Sequence, residues 1–310
     1  MKNVAIVGLG VIAQKYVDVM LESSLIHIRT VCDRKHTSLA KRLSDLGIPY
    51  FQDYEAMPLE GVDVVFVLTP VDTHWELGNY FLMKRKHVFL EKPATQDLKS
   101  LDNLISRSIK SGIVLDVILH WRYGNEVMFL KNREDLFSDA KRIHMIIDDP
   151  YTKDGFVIPS KASLGGAWLD SGINALSFLS LWFDLKAFRL KSSTARYCDK
   201  TSLDIHHVRI YEFDKMEIVI EIHWDRGKNH KETLVEKSDS VLRIDHTNQS
   251  VYKSNIKVFD GRSEDRLKTH YHNFLKTLQH HTTDHEALLE LHKLVFEKQE
   301  GDSYEYNKGE

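Results

Sequence analysis

Cysteine is scarce in this sequence, and long apolar runs are missing. The 310 residues include two cysteines, Cys32 and Cys198, which stand far apart and form no C-x-x-C pair. This pattern argues against a disulfide-bonded secreted scaffold and predicts a cytoplasmic protein. No apolar stretch has the length of a transmembrane helix, so we expect no membrane partner.

Neither sign of charge dominates the sequence. Its 42 basic and 45 acidic residues give a formal net charge of -3, without a polybasic stretch. These features argue against nucleic acid or an anionic membrane surface as a partner. A hydrophobic content of 42% and a charged content of 28% are typical of globular chains, and the length favours two domains.

Histidine is abundant, with 17 residues, yet the sequence predicts no metal site. Metal-binding helices commonly place two histidines four residues apart beside a carboxylate. His281 and His285 have that spacing, but Thr283 and Glu286 form a T-x-x-E capping box, which predicts a helix start between them. The adjacent pair at 206–207 lacks the spacing altogether.

A glycine turn follows the first short apolar strand. The segment NVAIVGLGVIA places Gly8, Gly10 and Ala13 between this strand and a helical pattern. In the dinucleotide-binding fingerprint the first glycine permits the tight turn, and the second lets the backbone approach a pyrophosphate. The N–H groups at the helix start, near Val11 and Ile12, would bind the phosphates.

An acidic residue ends the second predicted strand. The strand LIHIRTVCD ends at Asp33, twenty residues after Ala13. A carboxylate at that place accepts hydrogen bonds from the ribose hydroxyls and disfavours a 2′-phosphate. Arg34 and Lys35 follow and would tolerate that phosphate. The sequence therefore predicts NAD or NADP as the cofactor, with NAD preferred.

Three further apolar strands continue the pattern. These strands alternate with predicted helices over 38–46, 74–84 and 97–108, and they read VDVVFVLTP, HVFLEKP and GIVLDVILHWRY. This alternation predicts a doubly wound parallel sheet, which binds ligands at the carboxyl ends of its strands. The residues at these ends are Thr69, Pro70, Glu91, Lys92, Pro93 and His120.

The second half of the chain has a different pattern. After about residue 122 strand-like segments follow one another, among them KRIHMIID, DIHHVRIYEF and MEIVIEIHW. We expect a dinucleotide-binding Rossmann domain over 1–121 and, over 122–310, a substrate-binding and oligomerisation α+β domain with a large, mostly antiparallel sheet. The face of that sheet without helices would suit a subunit contact, so we expect a homodimer or homotetramer.

The segment LDSGINALSF places polar side chains in an apolar helix. Asp170 and Asn174 stand four residues apart and so lie on one helix face. A buried carboxylate and a buried amide cost free energy unless they are hydrogen-bonded or used. From the segment alone two interpretations stay open: a helix N-terminus bonded within the core, and a functional site.

Together these segments resemble the glucose–fructose oxidoreductase/inositol dehydrogenase (Gfo/Idh/MocA) family along nearly the whole chain. The resemblance rests on VAIVGLGVIA, Asp33, VLTPVDTHWE, HVFLEKPAT and GGAWLDSGIN. It implies that Lys92 and Asp170 lie beside the nicotinamide. The residues expected to bind the cofactor are Gly8, Gly10, Val11, Ile12, Asp33, Arg34, Thr69, Pro70, His74, Glu91 and Lys92.

One position departs from the usual family pattern. Most members have a histidine where this chain has Asn174, and that histidine usually takes the proton from the substrate hydroxyl. An amide only donates and accepts hydrogen bonds. Aldose 1-dehydrogenases of this family, which act on L-arabinose or D-galactose, share the departure in a helix that reads D-x-G-I-N-A-L-S. They also have a histidine and an arginine in a segment similar to LHWRY, which match His120 and Arg122.

The resemblance implies oxidation of a cyclic aldose at C1 to an aldonolactone, with Lys92, Asp170 and Asn174 as catalytic residues. An anomeric hydroxyl is more acidic than an ordinary secondary alcohol, so Asp170, or Lys92 with its pKa lowered by burial, would serve as the base. Two alternatives stay open: another family chemistry on an inositol or other sugar or polyol, and a non-catalytic cofactor-binding protein. The residues expected to bind the sugar are Lys92, His120, Arg122, Asp170 and Asn174.

Overall fold

The computed structural model describes residues 1–278, 281–297 and 303–306. Within them the chain forms two compact units. Unit 1 comprises Met1–His120 and Leu267–Leu289, and unit 2 comprises Trp121–Arg266 and the described residues from Glu290 on. The expected domains were 1–121 and 122–310, and the structure thus joins a segment from the C-terminal half to unit 1.

Unit 1 is built on a six-stranded parallel sheet, which confirms the predicted doubly wound architecture. In space the strands follow the order β3-β2-β1-β4-β5-β6. The order changes direction between β1 and β4, and ligands of such sheets bind at this switch point. The strands are β1 (Lys2–Val7), β2 (Ile26–Cys32), β3 (Tyr50–Phe51), β4 (Val64–Val67), β5 (His87–Glu91) and β6 (Leu115–Ile118).

Four helices connect these strands, and two of them begin at a residue whose side chain caps the helix. Thr37 accepts a hydrogen bond from the N–H of Ala40 at the start of one helix, and Asp97 accepts one from Ser100 at the start of another. The latter helix ends at Gly112, whose φ of 66° suits glycine. The helices are α1 (Val11–Glu22), α2 (Ser38–Asp45), α3 (His74–Met83) and α4 (Leu98–Ser111).

Unit 2 contains a nine-stranded, mostly antiparallel sheet, as the sequence predicts. Its order is β16-β15-β14-β13-β7-β12-β11-β10-β17, and the pairs β12–β7 and β10–β17 are parallel. A separate hairpin, β8 (Thr152–Lys153) and β9 (Phe156–Val157), lies in the loop after β7. The large sheet contains β7 (Arg142–Asp148), β10 (Arg189–Tyr197), β11 (Asp204–Phe213), β12 (Met216–His223), β13 (His230–Glu236), β14 (Val241–Asp245), β15 (Ser250–Lys253), β16 (Ile256–Asp260) and β17 (Ser303–Tyr306).

The two faces of this sheet differ in burial. Along β11 the side chains of Ile205, His207, Arg209 and Tyr211 are buried, whereas the alternate positions from His206 to Glu212 are half-buried. The same alternation holds along β7 and β13. The half-buried face, which we call the open face, therefore presents both apolar and charged side chains.

Helices in unit 2 are short. Helix α5 (Asn125–Leu130) follows the 3₁₀ turn His120–Tyr123. The LDSGINALSF segment forms a π-helical turn, Trp168–Gly172, followed by α6 (Ile173–Leu179), in which all seven residues are buried. π-helical turns occur frequently at functional sites.

Two helices close the described chain. Helix α7 (Arg266–Thr277) packs in unit 1, where the Tyr271 ring lies 3.9 Å from that of Tyr16. Helix α8 (His285–Phe296) follows. None of the helices in the described ranges has the length and apolar character to cross a membrane. Cys32 and Cys198 are both buried free thiols.

Candidate active site

The glycine turn of unit 1 has the geometry of a pyrophosphate cradle. Gly8 has φ +94°, and a Cβ there would lie 2.7 Å from the backbone carbon of Leu68. A Cβ on Gly10 would meet no described atom within 4 Å, so the space in front of the turn is open. Val11, the first residue of α1, is 93% exposed. The N–H groups of this helix start therefore face open space, as phosphate binding requires.

The Asp33 carboxylate is anchored beside this turn. Its Oδ2 accepts a hydrogen bond from the N–H of Leu9 (2.7 Å), and its Oδ1 accepts one from the N–H of Lys35 (2.8 Å). A carboxylate has about four acceptor positions, so both oxygens keep capacity for ribose hydroxyls. Arg34 and Lys35 are exposed next to it. Asp33 thus fits the ribose of an adenosine, and the positive charges of Arg34 and Lys35 would also tolerate a 2′-phosphate.

His74 joins two strand ends rather than facing open space. It is 1% exposed, and its Nδ1 and Nε2 lie 3.0 and 2.8 Å from the carbonyl oxygens of Pro93 and Thr69. Burial lowers the pKa of His74, although these two carbonyls oppose the shift. The imidazole thus connects the residues after β4 with those after β5. Of the predicted cofactor residues on this edge, Thr69 is half-buried and Pro70 is exposed.

A buried hydrogen bond from α1 holds the Glu91-Lys92-Pro93 segment in place. The Tyr16 hydroxyl donates to Glu91 Oε1 (2.6 Å), and the backbone N–H of Lys92 donates to Glu91 Oε2 (2.8 Å). The Lys92–Pro93 peptide bond is cis. Glu91 therefore fixes the backbone that presents Lys92, whose side chain is half-buried. The pKa of Tyr16 is raised well above its usual value by burial and by the Glu91 charge.

His120 pairs with a histidine that sequence reasoning missed. The Nδ1 atoms of His120 and His270 lie 3.1 Å apart, and both side chains are buried. His270 belongs to α7, 150 residues later in the chain, and no local pattern distinguishes it from the other histidines. A pair of imidazoles at this distance requires a proton on one Nδ1 and a lone pair on the other.

Asp170 and Asn174 are both buried in unit 2. Asp170 is 8% exposed and Asn174 is 5% exposed. The Asn174 Nδ2 donates to the backbone carbonyl of Asp170 (3.2 Å). Its Oδ1 is buried and accepts no hydrogen bond from any residue that the structure describes. The helix thus satisfies half of this amide and leaves an acceptor that a hydroxyl group would satisfy.

A buried lysine extends this polar cluster. Lys231 is 4% exposed, and its Nζ donates to Asp149 Oδ1 (2.7 Å). The Ser171 hydroxyl lies 3.3 Å from Asp149 Oδ2 and 3.4 Å from Asp170 Oδ2. Burial lowers the pKa of Lys231, and the Asp149 carboxylate opposes this shift. Burial, Asp149 and Asp170 all raise the pKa of Tyr151.

The N-terminal residues match a known family. Residues 2–118 match the family described as "Oxidoreductase family, NAD-binding Rossmann fold", which is the Gfo/Idh/MocA family. The match covers only these N-terminal residues, which are similar to the Gfo/Idh/MocA oxidoreductases. Unit 1 therefore provides the NAD(P)-binding Rossmann fold of this family, in agreement with the glycine turn and Asp33.

The curated relatives described below match only part of the chain. A myo-inositol 2-dehydrogenase from Thermotoga maritima is 26% identical over 133 residues, which cover 42% of this chain and 39% of that protein. A glycosyl hydrolase family 109 protein from Streptomyces filamentosus is 30% identical over 117 residues, covering 34% and 24%. The chain thus spans well under half the length of these two curated relatives.

A solved structure shares the whole fold. A 3-ketoreductase from Actinomadura kijaniata, in complex with NADP and TDP-benzene, has a TM-score of 0.83 at 17% identity. The similarity covers 98% of this chain and 99% of that one. At this identity the likeness concerns the fold, and it extends through unit 2, beyond the residues that match the Gfo/Idh/MocA family.

Arg122 and Lys231 show where sequence reasoning and geometry diverge. The Arg122 Nε donates to the carbonyl of Ser177 (3.1 Å), and its Nη2 donates to the Ser180 hydroxyl (2.7 Å). Arg122 therefore binds the C-terminal end of α6, where a cation is favourable, and sugar binding by it stays a prediction. Lys231 was missed because on β13 it reads as an ordinary polar position of a half-buried strand.

Proposed function

We propose that this chain is an NAD(P)-dependent dehydrogenase that oxidises a cyclic aldose of the arabinose or galactose type at C1. The observation that supports this most directly is the unpartnered, buried Oδ1 of Asn174 next to Asp170. Such an acceptor rejects ligands that lack a donor and is satisfied by a hydroxyl group. The product is the corresponding aldonolactone.

The reaction removes one hydride and one proton from the sugar. When bound, NAD(P) supplies the acceptor for the hydride from C1. The hydroxyl proton passes to the Asp170 carboxylate or to a neutral Lys92 amine, and the C1–O bond becomes the lactone carbonyl. Lys92 in its charged form would instead stabilise the negative charge that develops on the hydroxyl oxygen.

The remaining residues bind and orient the sugar in this proposal. Asn174 Oδ1 accepts a hydrogen bond from a sugar hydroxyl, and His120 hydrogen-bonds another. Glu91 acts through the backbone of Lys92, which donates to its carboxylate. Gly8, Gly10 and Asp33 hold the dinucleotide, because the turn is open and the carboxylate keeps acceptor capacity.

A polyol dehydrogenase is the second candidate function. The relative from Thermotoga maritima, named a myo-inositol 2-dehydrogenase, supports it. The experiment is a panel of L-arabinose, D-galactose, D-glucose and inositols with NAD and with NADP, followed by the absorbance of the reduced cofactor. We expect turnover of an aldose. Turnover of inositols alone would replace the first candidate by the second, and cofactor binding without any turnover would indicate a non-catalytic protein.

The proposed catalytic residues are tested by substitution. Lys92→Ala and Asp170→Ala should each lower kcat by at least about a hundredfold, as expected for loss of a general base, while the affinity for NAD(P) stays nearly unchanged. The matched controls are Lys41→Ala and Asp45→Ala, an exposed ion pair on α2, which should retain kcat. A kcat near that of the parent in either active-site variant would show that the assigned role is wrong.

A further inference from the structure

Two histidines and a glutamate meet on the open face of the large sheet. His206 on β11 is the register partner of His223 on β12, and Glu221 stands two residues before His223 on the same face. The two imidazole rings are stacked, with centroids 4.1 Å apart and an interplanar angle of 11°. One ligand atom from each of the three residues lies within 4.8 Å of the others.

One imidazole nitrogen of this cluster makes no hydrogen bond to the described residues. The Nε2 of His206 is buried and has no hydrogen-bond partner in the described part of the chain. This nitrogen is therefore a ligand atom that a metal ion would use.

Ionisable side chains lie beside the proposed ligands on both sides of the cluster. Glu221 Oε2 lies 2.9 Å from Nε2 of His144, and on the other side of the His223 ring Asp225 Oδ1 lies 3.6 Å from Nδ1. Carboxylates and imidazoles in such places orient metal ligands and fix their tautomers. Glu221 Oε1 is shared by His223 Nε2 (2.6 Å) and a guanidinium nitrogen of Arg226 (2.7 Å).

We propose that His206, Glu221 and His223 form a binding site for a first-row transition ion of the zinc class. Two imidazoles and one carboxylate are a donor set that Zn²⁺ takes in proteins, with a fourth position left open. Ligand atoms around tetrahedral Zn²⁺ are about 3.3 Å apart, so binding requires the two imidazole rings to rotate out of their stacked arrangement and Glu221, whose side chain is 21% exposed, to rotate towards them. The ion replaces the hydrogen bond between His223 and Glu221.

This site is independent of the proposed dehydrogenase reaction. It was not expected from the sequence, because two adjacent strands rather than one helix bring its residues together. Its ligands lie on the open face, whereas Asp170 and Asn174 belong to the π-helical turn and α6. Metal binding is therefore measured without cofactor or sugar.

The experiment uses the full chain after removal of metals with a chelator. Zn²⁺ is titrated by calorimetry, and Co²⁺ is added to record its visible absorption, which is intense for tetrahedral nitrogen and oxygen ligands. We expect one ion per chain, and we expect His206→Ala and His223→Ala to weaken binding by at least about a hundredfold. His144→Ala, which removes a neighbour but no ligand, should weaken it by about tenfold.

Two controls keep the result interpretable. His27→Ala removes an exposed histidine on β2, so it matches His206→Ala in histidine count and should bind Zn²⁺ like the parent. Zn²⁺ should raise the Tm of the parent and of His27→Ala but not that of His206→Ala, and circular dichroism without metal shows that each variant is folded. Binding by folded His206→Ala and His223→Ala that equals that of the parent would overturn the proposal, as would the absence of tetrahedral Co²⁺ absorption.

Discussion

Asn174 is the residue on which the proposed substrate class depends most. Its amide nitrogen is bonded to the backbone of its own helix, and its oxygen has no donor among the described residues. The sequence shows that an amide stands there. Only the structure shows which of its two polar atoms is left open, because that depends on the π-helical turn before α6.

Replacing Asn174 tests this acceptor. Asn174→Leu keeps the volume and removes the oxygen, so kcat/KM for the aldose should fall by about 10–100-fold, the usual cost of losing one buried hydrogen bond to substrate. The Tm should change little, because the lost hydrogen bond to the Asp170 carbonyl is offset by the removal of an unsatisfied polar atom from the core. Steady-state kinetics and thermal unfolding measure both quantities. Asn79→Leu, on α3, also removes an unpartnered buried amide oxygen and should leave kcat/KM unchanged; equal losses in both variants would refute the role.

His74 gives a pH dependence of stability with a defined sign. Burial lowers its pKa below the ordinary 6.5, so the unfolded chain binds a proton that the folded chain refuses. The stability that the folded chain gains by keeping His74 neutral is therefore complete above about pH 6.5. It is lost as the pH falls below that value, because the unfolded chain then binds the proton. We expect the Tm of the parent to fall more steeply between about pH 7.5 and about pH 5.5 than that of His74→Asn. Identical slopes, with exposed His27→Asn as the control, would contradict this.

At the scale of elements, the strands and helices of unit 1 follow from local patterns. The predicted helices over 38–46, 74–84 and 97–108 correspond closely to α2, α3 and α4. The start of α8 shows the limit of such patterns: the sequence favours Thr283 as its cap, whereas in the structure Asp284 accepts the hydrogen bond from Ala287. Thr283 Oγ1 is buried without a partner in the described residues. Either side chain caps a helix, and tertiary packing decides which one does.

The approach to the π-helical turn depends on one glycine. Gly166 has φ +107°, and a Cβ there would lie 1.9 Å from Asp204 Oδ1, the carboxylate that also binds the N–H of Trp168. Gly155 has a similar positive φ of 77°, but a Cβ there meets nothing described within 4 Å.

These two glycines form a matched pair for a stability test. Gly155→Ala should cost about 1 kcal/mol from backbone strain, and Gly166→Ala should cost about 2 kcal/mol more because of the clash. Each kcal/mol corresponds to about 2–4 °C in Tm for a unit of this size. Thermal unfolding measures the difference. Equal Tm values for the two variants would show that the close approach to Asp204 carries no cost.

At the scale of the whole molecule, the sequence predicts the two architectures but not the polar clusters within them. Alternating and continuous apolar runs indicate the parallel and antiparallel sheets, because burial on one or both faces sets the period. The pairing of His120 with His270, and of Lys231 with Asp149, joins residues at least 80 positions apart. A single sequence contains no signal for such contacts, since each residue type is ordinary in its own segment.

The open face of unit 2 is where we place the expected contact in a homodimer or homotetramer. Ile146 lies at its centre, opposite Glu221 on one side and Glu232 on the other. Ile146→Arg places a positive charge between Glu221 and Glu232, which a single chain tolerates. A subunit contact that buries position 146 would be weakened by this charge. Analytical ultracentrifugation should show an oligomer for the parent and a shift toward the monomer for the variant. Met83→Asp, an exposed position at the end of α3, should not shift it, and an unchanged mass for Ile146→Arg would exclude this face.

The most direct test of the proposed chemistry follows the hydrogen on C1. Purified protein is mixed with NAD or NADP and either D-galactose or L-arabinose deuterated at C1, and the reduced cofactor is analysed by mass spectrometry. We predict that one deuterium appears on the nicotinamide ring and that the aldose is converted to a lactone. Reduced cofactor without deuterium, or turnover of a polyol with none of either aldose, would contradict oxidation at C1.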